Sequence, residues 1–516
     1  MLPASAATAA TAAPRPGGAA RHRHRHAADD ERYAPPEHHA LAVPDARTRN
    51  VLSRFTGAVT ADRIADVAAV GGIDAWFEQQ LVPAAIPDAA ADQLASWWPN
   101  LWLSPAEKWA RLKNGTLSAW QTTQDNASWM MNRRLITKRQ VEETMVDFWS
   151  NLLHVASSAD YAWILHTDYL GVLRSHALGR FDDILQAAIK HPAMGLFLDN
   201  VESTASAVNE NLGRELLECH TVGADAGYSQ RDVVNSSRIL TGFKVDVAGT
   251  WDCTYVPERH WVGRVKVMGF SSSNSRLDGR PTLTNYLSYL AHHPLTARRL
   301  CTRLAVRFVG DEPSAGLVDM LTNVYLASDT DITPVLRALV ASAEFTASAM
   351  LKTRTPVEDA VATMSVLRAQ VAQPKTPADA ANQLIFVSGA AGQVLFTWPT
   401  PDAFPDVASA WTGAGRMLGS MKIHWYAVNG NWPSAGVTYR KPMDWLPQLP
   451  TMFSNVVDYV VRSTLFMPCT ATMLKAACVA TDCRPTEIID EMHPLTTYRF
   501  PCLLVSILDS PEHYSR

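Results

Sequence analysis

Between residues 138 and 155 the apolar side chains Val141, Met145, Phe148, Leu152 and Val155 recur at intervals of three and four, and Trp149 and Leu153 widen the stripe. A period of 3.6 gathers such a set onto one face of a helix, and that face must be covered by other elements. The same spacing returns at Val51, Leu52 and Phe55, at Ile64, Val67 and Ala68 before Gly71-Gly72, and at Ile184, Leu185, Ala188 and Ile189. It continues through residues 283–308, 314–327 and 332–345, with Pro313 and Pro334 where helix starts tolerate proline. Asp74 is placed to cap a helix carrying Trp76, Phe77 and Leu81. Pro192 would clash with the preceding turn, so it predicts two helices within 181–199. The fold class expected is mainly α, a large multi-helix globular domain.

One stretch breaks the helical period. Over 244–256, Val245 and Val247 alternate before the turn Ala248-Gly249, followed by Trp251, Cys253 and Tyr255, which predicts a small β-hairpin insertion. Residues 397–432 are rich in Pro and in large rings, among them Trp398, Phe404, Trp411, Trp425, Tyr426 and Trp432. Rings at this density fill and order a long loop, or form a stacking platform for a sugar or another ring. No internal repeat marks a solenoid.

A chain of 516 residues with 47% hydrophobic and 19% charged residues and 16 Trp can bury a substantial core. Its 46 Lys and Arg stand against 50 Asp and Glu, a formal charge of −4, with no basic segment interleaved with aromatics in the body. Nucleic acid is therefore not expected as a partner. No run of about 18 apolar residues is present, so no transmembrane segment is expected and the protein reads as soluble or peripheral. Residues 1–34 are built from Ala, Pro, Gly and an Arg/His alternation from Arg21 to His26, which predicts a disordered, inert tail without a clear signal peptide. Residues 35–516 then form one large domain, with a division into two helical lobes near 35–310 and 311–516 left open. The seven cysteines are expected to be free thiols, Cys478 and Cys483 being close enough to bridge in an exported protein. There is no CxxC, GxSxG, HExxH, P-loop or Rossmann fingerprint.

Residues 209–223 read NENLGRELLECHTVG. They follow MVDFWSN at 145–151 and HPAMGLFLDN at 191–200, and they precede Leu240-Thr241-Gly242 and a His260, Gly263, Lys266, Gly269 series. Farther on come Gly392-Gln393, WPTPDAFPD at 398–406 and Ser510-Pro511-Glu512. In content and order this set resembles the bacterial family known as domain of unknown function 1800, from about Val51 to the C-terminus. The resemblance implies a fold and an ordered set of motifs without a reaction. It also implies relatives that look exported and are encoded beside another exported protein. Two departures stand out. Relatives place a His beside the Asn of MVDFWSN, whereas here Leu152-Leu153 precede His154, a displacement of two positions or about 200° on a helix. The family's His-Asp pair is His260-Trp261 here, so a carboxylate is missing. Any chemistry that relatives perform at these two positions is altered in this chain.

At 100° per residue, Glu210, Arg214 and Glu218 fall within about 80° of one another on a helix, and Asn211 and Glu215 extend the polar arc opposite Leu212, Leu216 and Leu217. In a pocket these carboxylates could serve as acid, base or ligand of a divalent metal. On a surface they would form i,i+4 ion pairs. His220 lies far round the helix, so a metal centre would need other segments. His260 and Lys266, at or after the hairpin, could face the stripe as general acid or base and as charge stabiliser; a turn His and a surface Lys are the alternative. His154 and His191 are expected to be satisfied core or helix-end residues. The site expected from sequence is thus Glu210, Arg214, Glu215, Glu218, His260 and Lys266, in an enzyme with a buried polar pocket, for instance one of metal-assisted hydrolysis. The alternative is a non-catalytic binding or assembly protein acting with a protein partner.

Overall fold

The 138–155 stripe folds as the helix Gln140–Leu152, whose Val141, Met145, Phe148 and Trp149 are buried, in a computed structural model that describes residues 41–516. The tail expected over residues 1–34 lies outside the described residues. The other periodic stretches also become helices: Ala46–Phe55, Ala61–Ala69, Pro294–Phe308, Ala315–Ala327 and Ile332–Ala341. The described residues are 59% helical, so the mainly α expectation holds. Pro192 does separate two helices, Phe181–Ile189 and Pro192–Phe197, and the His191 ring caps the second by accepting from the Ala193 N–H at 3.1 Å. Asp74 is not the cap expected of it. Gly72 is the N-cap of Ile73–Gln80, which places Asp74 in the first turn, where it pairs with Arg47 at 2.6 Å.

The hairpin forms as expected, with Phe243–Val245 antiparallel to Cys253–Tyr255. A second, Val265–Val267 with Phe270–Ser272, turns through Met268-Gly269, both at positive φ. That is the backbone twist that suits a two-residue hairpin loop. Two further two-stranded pairs, Gln370–Val371 with Val437–Thr438 and Thr451–Met452 with Ile488–Ile489, bring together segments distant in sequence.

Two hydrophobic cores result. The larger takes in residues from Val51 to Ile423 and includes the helices that follow residue 310. The smaller is built around Trp445, Phe453, Val456, Val460, Leu474, Ile489 and Leu503. The helix Pro356–Val366 serves both, sending Val357 and Val361 into the larger core and Val366 into the smaller. Ala414–Val428 does the same with Ile423 and Ala427. No helix among the described residues is long and apolar enough to cross a membrane.

Candidate functional site

The signature stretch 209–223 is not one regular helix. An α-helical turn, Asn211–Glu215, runs into a π-helical turn, Leu216–His220. The widened turn departs from 100° per residue, yet Glu218 and Arg214 still act on the same Tyr228 side chain. Gly213 sets the packing: a Cβ there would lie 2.6 Å from the Ser237 backbone nitrogen, so only glycine lets this segment press against the helix Gln230–Ile239. At the far end, Nδ1 of the buried His220 lies 2.9 Å from the Leu152 carbonyl, which joins the signature to the end of the MVDFWSN helix.

The six residues expected from sequence do not gather into one pocket. Glu210 and Arg214 pair at 3.3 Å with each side chain 39% exposed, and Gln230 closes the group by bonding both. The buried pocket expected around this pair is therefore corrected to a half-exposed i,i+4 pair. Glu218 accepts from the Tyr228 hydroxyl at 3.1 Å. Glu215 is half-buried, and burial lifts its carboxyl above the usual range, with Glu218 and then Asp402 adding smaller pushes against the Cys219 hydrogen bond. His260 is buried in a separate network, with Nε2 3.0 Å from Asn274 Oδ1 and Nδ1 3.1 Å from the Thr241 carbonyl. Lys266 is exposed on its strand. Where relatives would have a carboxylate beside His260, the Arg238 guanidinium lies 4.3 Å from the centre of the Trp261 ring.

An exposed pair of this kind contributes roughly 0.3–0.5 kcal/mol. Arg214→Leu should accordingly shift the thermal midpoint by no more than about a degree or two; a drop of many degrees would show that the pair carries far more than its exposure allows.

Three of the motifs converge elsewhere, on a cavity of about 260 Å³. One wall is the MVDFWSN helix with Asp147, Ser150 and Asn151; a second is Pro294–Phe308 with Arg303 and Arg307; a third is the WPTPDAFPD loop with Asp402, Phe404 and Asp406. Gln393 of the Gly392-Gln393 pair also lines it. A more open depression of about 710 Å³ beside Trp97 and Arg368 draws on none of these motifs.

The loop has no regular structure of its own, and side chains from the other motifs satisfy its backbone. Asn151 donates to the Phe404 carbonyl at 2.8 Å and accepts from the Phe404 N–H at 3.1 Å. Lys352 donates to the Asp406 carbonyl at 2.8 Å. The helix ends at Leu152, so the rotation argued for His154 does not apply. His154 lies beyond the helix, lines the cavity and places Nε2 2.8 Å from the Trp398 carbonyl. Burial lowers its imidazole below the ordinary value, which favours the neutral ring. Trp398, Phe404 and Trp411 pack on one another, with centroids 4.9 and 6.1 Å apart, as ring filling of a long loop requires.

Charge in the cavity is arranged in pairs with one exception. Arg307 bridges Asp147 at 2.9 Å, Glu358 at 2.8 Å and Asp406 at 3.6 Å. Arg134 also pairs with Asp147, and Arg516 reaches Glu358 at 3.1 Å. Arg299, one turn before Arg303, donates to the Cys219 carbonyl at 2.7 Å. Arg303 alone among these five guanidiniums makes neither hydrogen bond nor ion pair with any described residue, although Asp406, Cys219 and Asp402 are near enough to bias it electrostatically. A sequence signal for this wall exists: Arg299, Arg303 and Arg307 recur every four residues on one helix face, and like charges at that spacing repel unless anions face them. Ligand atoms suited to a metal ion converge at neither the stripe nor this cavity among the described residues; they do so at Asp359, His424 and His513 and at Cys483, Glu487 and His493.

A family model described as Protein of unknown function (DUF1800) matches residues 50–514, nearly the whole chain. No curated protein and no solved structure matches it.

Proposed function

This chain belongs to the DUF1800 family, and we propose that the cavity between the MVDFWSN helix, the Pro294–Phe308 helix and the WPTPDAFPD loop is a recognition site for a small anionic solute, anchored by Arg303. The observation that carries this reading is the unpaired Arg303 guanidinium in a cavity where Arg307 and Arg134 are already neutralised. A partly desolvated guanidinium gains most from a carboxylate or phosphate, which it can grip with two parallel N–H bonds. The cavity is smaller than the roughly 300–1,000 Å³ of drug-sized sites, which suits a compact solute.

A chemical role for the site rests on Glu215. Its carboxyl, raised by burial, lies outside the cavity lining but close enough to the lining residue Asp402 to feel its charge, and a shift of either side chain would bring an acid and base pair to the bound solute. None of the six residues expected from sequence lines the cavity; Glu215 alone is tied to it, through the charge of Asp402, and Glu210, Arg214, Glu218, His260 and Lys266 stand apart.

Calorimetric titration with inorganic phosphate, acetate and glucuronate tests the proposal. At least one of these anions should bind at a single site per chain, at least tenfold more weakly to Arg303→Gln and equally well to Arg214→Gln. Equal affinity of wild type and Arg303→Gln for every anion would end it.

A further inference from the structure

We propose that Asp359, His424 and His513 form a buried site for one divalent ion of the zinc class, separate from the cavity. The three residues come from three segments, Pro356–Val366, Ala414–Val428 and Pro511–Tyr514, and all are buried. Their ligand atoms lie within 4.8 Å of one another. His424 Nε2 and His513 Nε2 are each 3.2 Å from the same oxygen, Asp359 Oδ1.

That spacing fits an ion better than it fits hydrogen bonds. Zinc binds nitrogen and carboxylate oxygen at about 2.0–2.2 Å in tetrahedral sites, which sets neighbouring ligands about 3.3 Å apart. Charge-assisted hydrogen bonds to a carboxylate are shorter, about 2.7–2.9 Å. On its other side His424 makes such a bond, with Nδ1 2.7 Å from Asp509 Oδ1. A carboxylate on the far nitrogen is the arrangement that orients imidazole ligands and raises their basicity.

The second oxygen of Asp359 is occupied from outside the group. Ser420 donates to Oδ2 at 2.6 Å, and Arg416 lies 3.5 Å from it while donating to the Arg354 carbonyl and stacking 4.6 Å from the Tyr514 ring. Oδ1 is thus left to the two imidazoles. Two oxygens border the group and could complete four-coordination. Thr363 Oγ1 lies 3.2 Å from His513 Nε2, and the Tyr514 hydroxyl is near enough to Asp359 to feel its charge. An ion here would be closed off from solvent and would pin the 511–514 segment to the two helices shared by both cores, a structural role rather than a catalytic one.

The test is cobalt uptake by full-length protein, stripped with a chelator and verified as folded by circular dichroism. Its tail carries His22→Ala, His24→Ala and His26→Ala so that those imidazoles contribute nothing. One equivalent of Co2+ should bind with the visible absorption of a four-coordinate nitrogen and oxygen site and no thiolate charge-transfer band. His513→Gln and Asp359→Asn should each lose that equivalent. Because either variant could fail to fold, the unsubstituted ligand set provides a second measurement: Zn2+ should raise its melting temperature by several degrees over the chelator-treated form. Absence of stoichiometric uptake, a thiolate band pointing to Cys483, or uptake that survives His513→Gln would overturn the assignment.

Discussion

Arg307→Leu is expected to lower stability by about 3–5 kcal/mol, the typical cost of stranding buried charge, and to leave much of the protein unfolded at 37 °C. Arg307 is buried and, among the described residues, is the one cation that touches Asp147, Glu358 and Asp406 together. Its partners have other cations: Arg134 at Asp147, Arg516 at Glu358 and Lys352 at Asp406. None of these replaces the bridge between all three carboxylates. Burial alone would raise the Glu358 carboxyl, yet Arg307 and then Arg516 hold it far below the ordinary range, so the leucine variant inherits an acid that either ionises without its main partner or takes up a proton. Arg307→Lys should fall between the two, since an ammonium cannot reproduce a planar fork shared among three acids. Urea denaturation of the three proteins measures the order, and a leucine variant within about 1 kcal/mol of wild type would show that the network is dispensable.

Acid is expected to destabilise the protein through its buried, paired carboxylates, Glu143 among them together with Glu358 and Asp359. Glu143 is buried in the first turn of the Gln140–Leu152 helix, 2.9 Å from Arg133 and 2.7 Å from Arg174. Burial alone would push its carboxyl up; Arg174 and Arg133 outweigh burial and hold it at about 2, against an ordinary 4.5. The unfolded chain therefore takes up the proton first. The stabilisation is complete above pH 4.5 and is lost as pH falls from there toward about 2. A difference of that size is worth about 3 kcal/mol. Glu143→Gln should lose a comparable amount at pH 7 and show a flatter dependence over the acid range, because two guanidiniums are then left without their acid. Denaturant midpoints from pH 2.5 to 7 would check both, and parallel curves for the two proteins would remove Glu143 from the account.

The helices were legible because their cause is local: Val141, Met145 and Phe148 carry the 3.6 period wherever the Gln140–Leu152 helix packs. The hairpin at Phe243–Val245 and Cys253–Tyr255 was legible for the same reason. Its neighbour escaped notice because three-residue strands carry little alternation; the only local mark was Gly269 beside Met268. The polar stripe misled because spacing shows that Glu210 and Arg214 share a helix face but not whether another element covers that face. The cavity was invisible to any window, since its walls join Asn151 to Phe404 across 253 residues. Only the shared order of the motifs hinted that they meet. Helix Pro294–Phe308 held one readable clue, its guanidiniums at every fourth position.

The placement of Arg516 bears on the order in which the chain can mature. Its side chain is buried against Glu358, its N–H donates to the Lys352 carbonyl at 2.8 Å, and Nη1 reaches the Arg54 carbonyl across 462 residues. Whichever helices assemble first on the ribosome, Glu358 gains its contact with Arg516 only once residue 516 has been synthesised. Until then an interior carboxylate has only part of the positive charge that surrounds it in the folded protein.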